Sequence, residues 1–274
     1  ISGDPVYIKD IIYGISNETR QKIIFIPAYN DVSRINSTLI VDIEYYIISK
    51  YDRENIDRIA IKGPEITHIF PTTLALNKID WKENGIINLS TRSFNETTTE
   101  KENFYIDNKK LSIYFGISIS SSYKTGESPI DLSSTIFIEF EPTNDYRFII
   151  KILNVAKQFI QYLCYRRNII FSSIEISAPT TKGLHETFAN LYQTQENGTI
   201  EEYPLKKGKF IKYEYLKRSI GKIINDIASK QIYIEHIPES YESGRHINAS
   251  RFVMITAGFE WEFKRNYPNG IKKR

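Results

Sequence analysis

Residues 143–176 constrain the fold of this chain more than any other stretch, because they encode a helix followed directly by a strand. Apolar side chains recur there at steps of three and four residues, which places them on one face of a helix. They are Phe148, Ile152, Val155, Ala156, Phe159 and Leu163. Thr143, Asn144 or Asp145 can cap the start of this helix, because a short oxygen-bearing side chain accepts from backbone N–H groups that lack helical partners.

The end of this helix carries positive charge. We expect Arg166 and Arg167 to close its last turn, where cations meet the negative end of the helix dipole. Residues 169–176, rich in isoleucine, then read as a strand. The unit separates a sheet-like region before it from a mostly helical region after it.

The flanking regions follow different patterns. Residues 110–120 and 134–141 are strand candidates; in the first, apolar and mostly small or polar residues alternate with the period of two typical of strands. After the central unit we predict a short helix at 185–191, a longer one at 210–228 and a last one that begins near Asn248. Several strands without long intervening helices favour an antiparallel sheet.

These patterns predict an α+β fold. An antiparallel, β-rich sandwich or curved sheet would be followed by an α+β region with a long amphipathic helix. We divide the chain into a β-rich region at 1–142, an α+β region packed on it at 143–246, and a connector helix at 247–274.

Composition excludes several classes of protein. A single cysteine, Cys164, rules out a disulfide framework and a cysteine-rich zinc site, and its place on the apolar helix indicates packing. No run of eighteen apolar residues exists and the first residues do not resemble a signal peptide, so we expect a cytoplasmic protein without a membrane partner. Phosphate-loop, hydrolase and zinc motifs are missing, and we expect no cofactor or metal.

Charge is unevenly distributed along the chain. Residues 1–142 hold 15 Lys and Arg against 20 Asp and Glu, whereas residues 143–274 hold 21 against 13. The basic second half could contact nucleic acid, or its charges could simply lie on solvated helix faces. Arg245, His246 and Arg251 form a small basic cluster that could bind phosphate or cap the last helix.

Carboxylates on strands offer an alternative function. Glu139 and Glu141 would point to the same side of their strand, about 7 Å apart, and Glu175 lies on a later strand. Paired carboxylates are what glycoside hydrolysis requires. Tyr45, Tyr46 and Tyr114 could stack on sugars, so a carbohydrate-binding or glycan-hydrolysing β-sandwich is the alternative.

Three stretches carry a resemblance to a known family. Residues 61–70, IKGPEITHIF, resemble the Gly-Pro-Glu segment in the N-terminal domain of ApeA-like bacterial defence proteins, which precedes a HEPN domain. Residues 146–176 resemble the family's central helix-then-strand segment. Residues 247–267, INASRFVMITAGFEWEFKRNY, resemble the entry into the HEPN part, with Glu260 on its helix.

The resemblance implies a non-catalytic sensing or regulatory domain in abortive infection, an anti-phage defence. Its partner would be a downstream HEPN domain of the same chain that cleaves RNA with Arg-x(4–6)-His, a pattern missing here. We therefore expect residues beyond 274 to supply that domain and catalysis. A phage-derived trigger, RNA and a second copy are further possible partners. Glu65 and the cluster of Arg245, His246 and Arg251 are the predicted contact residues.

Overall fold

Eleven strands, five α-helices and three short 3-10 helices make up the regular structure that the computed structural model of the protein describes. The described residues are 11–35, 38–51, 53, 55–81, 87–121, 125–126, 130–194, 209–268 and 270. In chain order the elements are β1 (Ile12–Ile15), β2 (Lys22–Ile35), β3 (Thr38–Ser49), β4 (Ile56–Lys62), α1 (Pro64–Ile69), β5 (Leu76–Trp81), β6 (Ile87–Thr91), α2 (Phe94–Thr97), β7 (Glu102–Ile106), β8 (Lys109–Ser121), β9 (Ile130–Thr143), α3 (Tyr146–Cys164), β10 (Ser173–Pro179), β11 (His185–Gln193), α4 (Ile220–Ala228) and α5 (Ala249–Asn266).

The chain folds into two compact units that interleave along the sequence. One comprises Ile1–Ile61, Pro142–Asn144 and Ser173–Gly198, and the other Lys62–Glu141, Asp145–Ser172 and Thr199–Arg274. The division predicted from sequence, with boundaries at 142 and 246, stays a prediction.

Six strands in the order β1-β2-β3-β11-β10-β4 build the first unit. The β1–β2, β2–β3, β3–β11 and β10–β11 pairs are antiparallel. Ile24, Ile47 and Phe188 bury their side chains in its core. Period-two alternation places Tyr45 and Ile47 on the same, buried face of β3.

The second unit combines antiparallel strands with all five helices. Its strands pair in the order β9-β8-β7, and β5 pairs with β6 in a separate hairpin. Phe70, Phe115 and Tyr213 pack their rings 5.1–5.6 Å apart at the centroids, within the range of favourable aromatic contacts. The predicted α+β fold with a β-rich antiparallel sheet and a long amphipathic helix is confirmed.

Helix α3 is the central element of the second unit. The Asp145 carboxylate caps it by accepting from the Phe148 N–H at 3.1 Å. Ten of its side chains are buried: Phe148, Ile149, Ile152, Leu153, Val155, Ala156, Phe159, Ile160, Leu163 and Cys164. The helix ends at Cys164 because Tyr165 adopts the left-handed conformation at φ 49°, a common helix stop.

The end of α3 corrects two expectations. Arg166 and Arg167 follow the left-handed Tyr165 and therefore lie outside the last turn. Residues 169–172 are irregular, and the strand begins only at Ser173. The Ser172 N–H still donates to the Lys62 carbonyl at 2.8 Å, which ties this segment to the end of β4.

The region after α3 is less helical than predicted. Residues 185–191, expected as a helix, belong to strand β11, which pairs with β3 on one side and β10 on the other. The helix predicted over 210–228 is confined to Ile220–Ala228, because Arg218 takes a positive φ of 65° that a continuous helix does not allow. No helix among the described residues is long and apolar enough to cross a membrane.

Candidate functional site

The Gly-Pro-Glu segment places Glu65 inside the second unit. Gly63 precedes the short helix α1, and Pro64 occupies its first turn, where no backbone N–H is required. A Cβ on Gly63 would lie 2.8 Å from the Ile170 carbonyl oxygen, so only glycine permits this close approach without a shift. Glu65 in the first turn is 3% exposed.

A buried ion pair engages the Glu65 carboxylate. Arg166 Nη2 lies 2.5 Å from Glu65 Oε1, and Arg166 is itself 5% exposed. Glu65 Oε2 accepts no hydrogen bond from the residues that the structure describes. This contact joins α1 to the residues that follow α3. Removing one partner would leave the other charge buried and uncompensated, which is strongly destabilising. The contact role predicted for Glu65 stays a prediction.

Cys164 lies next to this pair and is buried. Burial, with a smaller contribution from the negative charge of Glu65, raises the pKa of the Cys164 thiol to about 12. The thiolate is the nucleophilic form of cysteine. Cys164 therefore stays protonated and acts as a packing residue, as its place on α3 indicates.

The predicted basic cluster lies at the start of α5. Asn248 caps this helix by accepting from the Arg251 N–H at 2.8 Å. Arg251 Nη1 in turn donates to the carbonyl oxygens of Gly244 at 2.5 Å and His246 at 3.0 Å. The Arg251 guanidinium thus ties α5 to the segment before it, and this favours the capping role over phosphate binding.

Arg245 has partners of its own. Its guanidinium lies 3.2 Å from Glu242 and 5.2 Å from the centre of the Tyr241 ring. Hydrogen bonds from Lys209 and Arg245 hold the pKa of Tyr241 below its usual value. Arg245, His246 and Arg251 come together as predicted, within one short segment, but their binding role remains a prediction.

Helix α5 contacts the rest of the second unit through a few residues on one side. Gly258, its single buried residue among those described, faces Tyr233 so closely that a Cβ would lie 2.7 Å from the Tyr233 Cδ1 atom. The Tyr233 hydroxyl contacts the Met254 sulfur at 3.7 Å. Arg265 Nη1 donates to the Gln231 carbonyl at 2.8 Å and so anchors the last turn.

The opposite side of α5 exposes a row of aromatic rings. We call this row, Phe252, Phe259, Phe263 and Tyr267, the aromatic stripe. These residues are 60%, 72%, 36% and 53% exposed, and Val253 beside them is 62% exposed. Phe263 lies 6.4 Å from Phe259 and 5.2 Å from Tyr267 between ring centroids, so these three rings form one continuous apolar surface. The sequence predicted the helix but not the exposure of this side.

Of the two carboxylates paired in the alternative function, Glu139 has structural partners and Glu141 is exposed. Glu139 lies 2.5 Å from Lys101 Nζ and accepts from the Tyr114 hydroxyl at 2.8 Å, whereas Glu141 is exposed. Tyr45 and Tyr114 are buried, at 1% and 6% exposure. Neither ring can therefore stack on a sugar. The third tyrosine, Tyr46, stacks on Tyr192 with ring centroids 4.9 Å apart.

One polar pair was not predicted from the sequence. His185 Nδ1 lies 2.8 Å from Asp57 Oδ2 in the first unit, although 128 positions separate the two residues. Burial raises the pKa of Asp57, and the neighbouring His185 opposes that rise. The pair has no local sequence signal, because its two residues are distant in the chain and come together only through the pairing of strands. Within the described part of the chain, no group of three or more potential metal ligands occurs.

No protein family, curated protein or solved structure matches the chain.

Proposed function

We propose that this chain is a non-catalytic regulatory module of a bacterial anti-phage defence protein. In this proposal, the aromatic stripe of α5 docks an RNA-cleaving HEPN domain and holds it inactive until a phage-derived signal arrives. The observation that carries the proposal is the exposure of the stripe on a helix whose other side is anchored. The resemblance of residues 61–70, 146–176 and 247–267 to ApeA-like proteins supplies the identity of the partner.

The stripe has the spacing of a helix-docking surface. The phenylalanines lie on one side of α5 with the small residue Thr256, and Tyr267 at the C-cap continues the row at steps of three and four residues. Helices pack on one another through such rows, and an apolar helix face recognises a partner by inserting side chains into a groove. Burying one exposed phenylalanine contributes about 2 kcal/mol of favourable transfer free energy, so the stripe can contribute substantially to the free energy of docking.

Structural roles of the polar side chains favour regulation over catalysis in this chain. Arg251 bonds to backbone carbonyls, Glu65 forms a buried ion pair, and the Cys164 thiol stays protonated. Arg251 stabilises the start of α5, whereas Glu65 and Cys164 stabilise the C-terminal end of α3. A rigid support of this kind suits a surface that must hold a partner in one orientation.

The coding sequence after the Arg274 codon provides the first test. The proposal expects an in-frame helical region that contains Arg-x(4–6)-His. A stop codon at that position would contradict a HEPN partner in the same chain.

A second test measures repression directly. In the complete protein, we expect the double variant F259E/F263E to raise basal cleavage of a labelled RNA at least about tenfold, because charge on the stripe releases the nuclease. Leu184→Glu is the matched control, since Leu184 is 64% exposed and lies in the other compact unit. Equal cleavage by wild type, F259E/F263E and L184E, with unchanged circular dichroism, would overturn the proposal.

A further inference from the structure

A groove of about 560 Å³ opens at one end of the sheet in the first unit. The residues that matter for its chemistry are Tyr13, Ile15, Arg20, Lys22, Lys50 and Tyr51. Its size lies within the range of pockets that bind small ligands. The groove is lined by residues of the compact unit that does not contain α5.

Strand register builds the floor of the groove. Ile15 pairs with Lys22 across β1 and β2, and Lys22 pairs with Ser49 across β2 and β3. Residues directly opposite in antiparallel strands point to the same face, so these three side chains form one row. Tyr13, two residues before Ile15, points to the same side at the edge strand.

A tight turn fixes Arg20 at the groove. The Ser16 N–H donates to the Gln21 carbonyl at 2.9 Å, and the Arg20 N–H donates to the Ser16 carbonyl at 3.0 Å. Arg20 has a positive φ of 58°, which reverses the chain just before β2. This backbone conformation places Arg20 among the residues that line the groove.

The groove is strongly basic. Arg20, Lys22 and Lys50 line it, and the described lining residues include no carboxylate. Lys22 Nζ lies 5.8 Å from the centre of the Tyr13 ring. Three cations in one concave site attract an anion with several charged oxygens, and phosphate groups meet that requirement.

Two tyrosines give the groove aromatic walls. Tyr13 is 59% exposed and Tyr51 is 43% exposed. The Tyr51 hydroxyl donates to Glu186 Oε1 at 3.0 Å and to the Thr187 carbonyl at 3.2 Å, which fixes the ring. The hydrogen bond to Glu186 raises the pKa of Tyr51, so its phenol stays neutral and adds no negative charge.

We propose that this groove binds a nucleoside phosphate. Arg20, Lys22 and Lys50 hold the phosphate oxygens, and the base packs on a tyrosine ring, as aromatic side chains do for unstacked bases. The same chemistry fits a free nucleotide and the end of a single RNA strand. The site does not depend on α5 and extends beyond the regulatory function proposed above.

Fluorescence titration of the full chain with mant-ATP tests the site. We expect saturable binding that ATP competes away and that weakens about tenfold in R20Q and in K50Q, because each loses a charge-assisted contact. Tyr13→Ala should weaken binding about fivefold through lost stacking. Lys182→Gln is the control, since Lys182 is an exposed lysine of the same unit outside the groove, and we expect no change.

Competitors define the ligand. Adenosine and tripolyphosphate should each compete more weakly than ATP, and stronger competition by a 5′-phosphorylated hexa-adenylate would identify an RNA end as the source of the nucleotide. The inference is overturned if mant-ATP shows no saturable binding up to about 1 mM, a concentration at which even weak sites are half filled. It is also overturned if R20Q and K50Q bind like K182Q, or if tripolyphosphate competes as well as ATP.

Discussion

Helices α3 and α5 are nearly equal in length, at 19 and 18 residues, yet their relation to the core is opposite. Both carry apolar residues at steps of three and four, and both begin at a residue whose side chain caps the third N–H of the helix. Helix α3 buries ten side chains, whereas α5 buries Gly258 alone.

The difference shows that periodicity specifies a helix but not what covers it. In α3 the apolar face meets α1 and α4 inside the second unit. In α5 the residues that pack inward are Gly258 and the half-buried Arg251, Ile255 and Trp261, whereas the three phenylalanine rings point away. An exposed apolar surface of this extent is typical of an interaction site.

Truncating one phenylalanine in each helix should give the largest difference in the free energy of unfolding between the two helices. We expect Phe159→Ala, at a fully buried position of α3, to lower the free energy of unfolding by about 4 kcal/mol through lost burial and a cavity. Phe259→Ala, at a position 72% exposed, should change it by less than about 0.5 kcal/mol. Urea denaturation measures both, and similar losses would show that the stripe of α5 is covered within this chain.

The buried ion pair at the end of α3 should produce the second largest effect. Arg166→Met is expected to lower the free energy of unfolding by about 3 kcal/mol, because the Glu65 charge is left buried without its partner. The double variant E65L/R166M should recover most of this loss, since it removes both charges.

The neighbouring residue supplies a matched control for that experiment. Arg167 pairs with Glu235 at 3.1 Å, but the two side chains are 39% and 61% exposed. Arg167→Met should therefore cost about 1 kcal/mol or less in the same urea denaturation. Equal losses from R166M and R167M would refute the distinction between a buried and an exposed pair.

The two caps offer a smaller but direct comparison. We expect Asp145→Ala to lower the free energy of unfolding by about 1 kcal/mol, the usual cost of a lost N-cap. Asn248→Ala removes an equivalent bond, yet global stability should fall less, because α5 can fray without opening the core. Hydrogen exchange in the first turn of α5 should accelerate in N248A, and an equal global loss in both variants would contradict this view.

The smallest expected effect is a pH dependence of stability that comes from His236, which packs on the Tyr233 ring beneath α5. Burial lowers the pKa of His236, whose ring stacks on Tyr233 at 6.0 Å. The unfolded chain therefore binds more protons, and stability is lost as pH falls from about 6.5 towards the lower folded pKa. Solvent reaches the half-buried ring, so the loss is small. Urea midpoints at about pH 7 and pH 5.5 measure it, and the dependence should shrink in H236N.

Local signals were sufficient to predict several elements. The apolar spacing and capping residues located α3, and alternation located β8, because both patterns depend only on neighbours in sequence. Strand β11 was missed for a related reason. Leu184, Phe188 and Leu191 have the spacing of a helix face, but pairing with β3 and β10 overrides that pattern.

The candidate sites depend on contacts that sequence cannot reveal. Glu65 and Arg166 are 101 positions apart, so their ion pair has no local signature. The groove in the first unit likewise joins residues from the β1–β2 turn with residues at the end of β3. The grouping of Arg245, His246 and Arg251 could be predicted, because these residues are neighbours along the chain.

Buried Cys164 has a practical consequence for spectroscopy. It is the single cysteine of the chain, and its thiol has a pKa of about 12. Maleimide and methanethiosulfonate reagents require an accessible thiolate, so native Cys164 should resist labelling. A cysteine introduced at an exposed position, such as Leu184 or Phe252, would then carry the probe selectively without removal of the natural thiol.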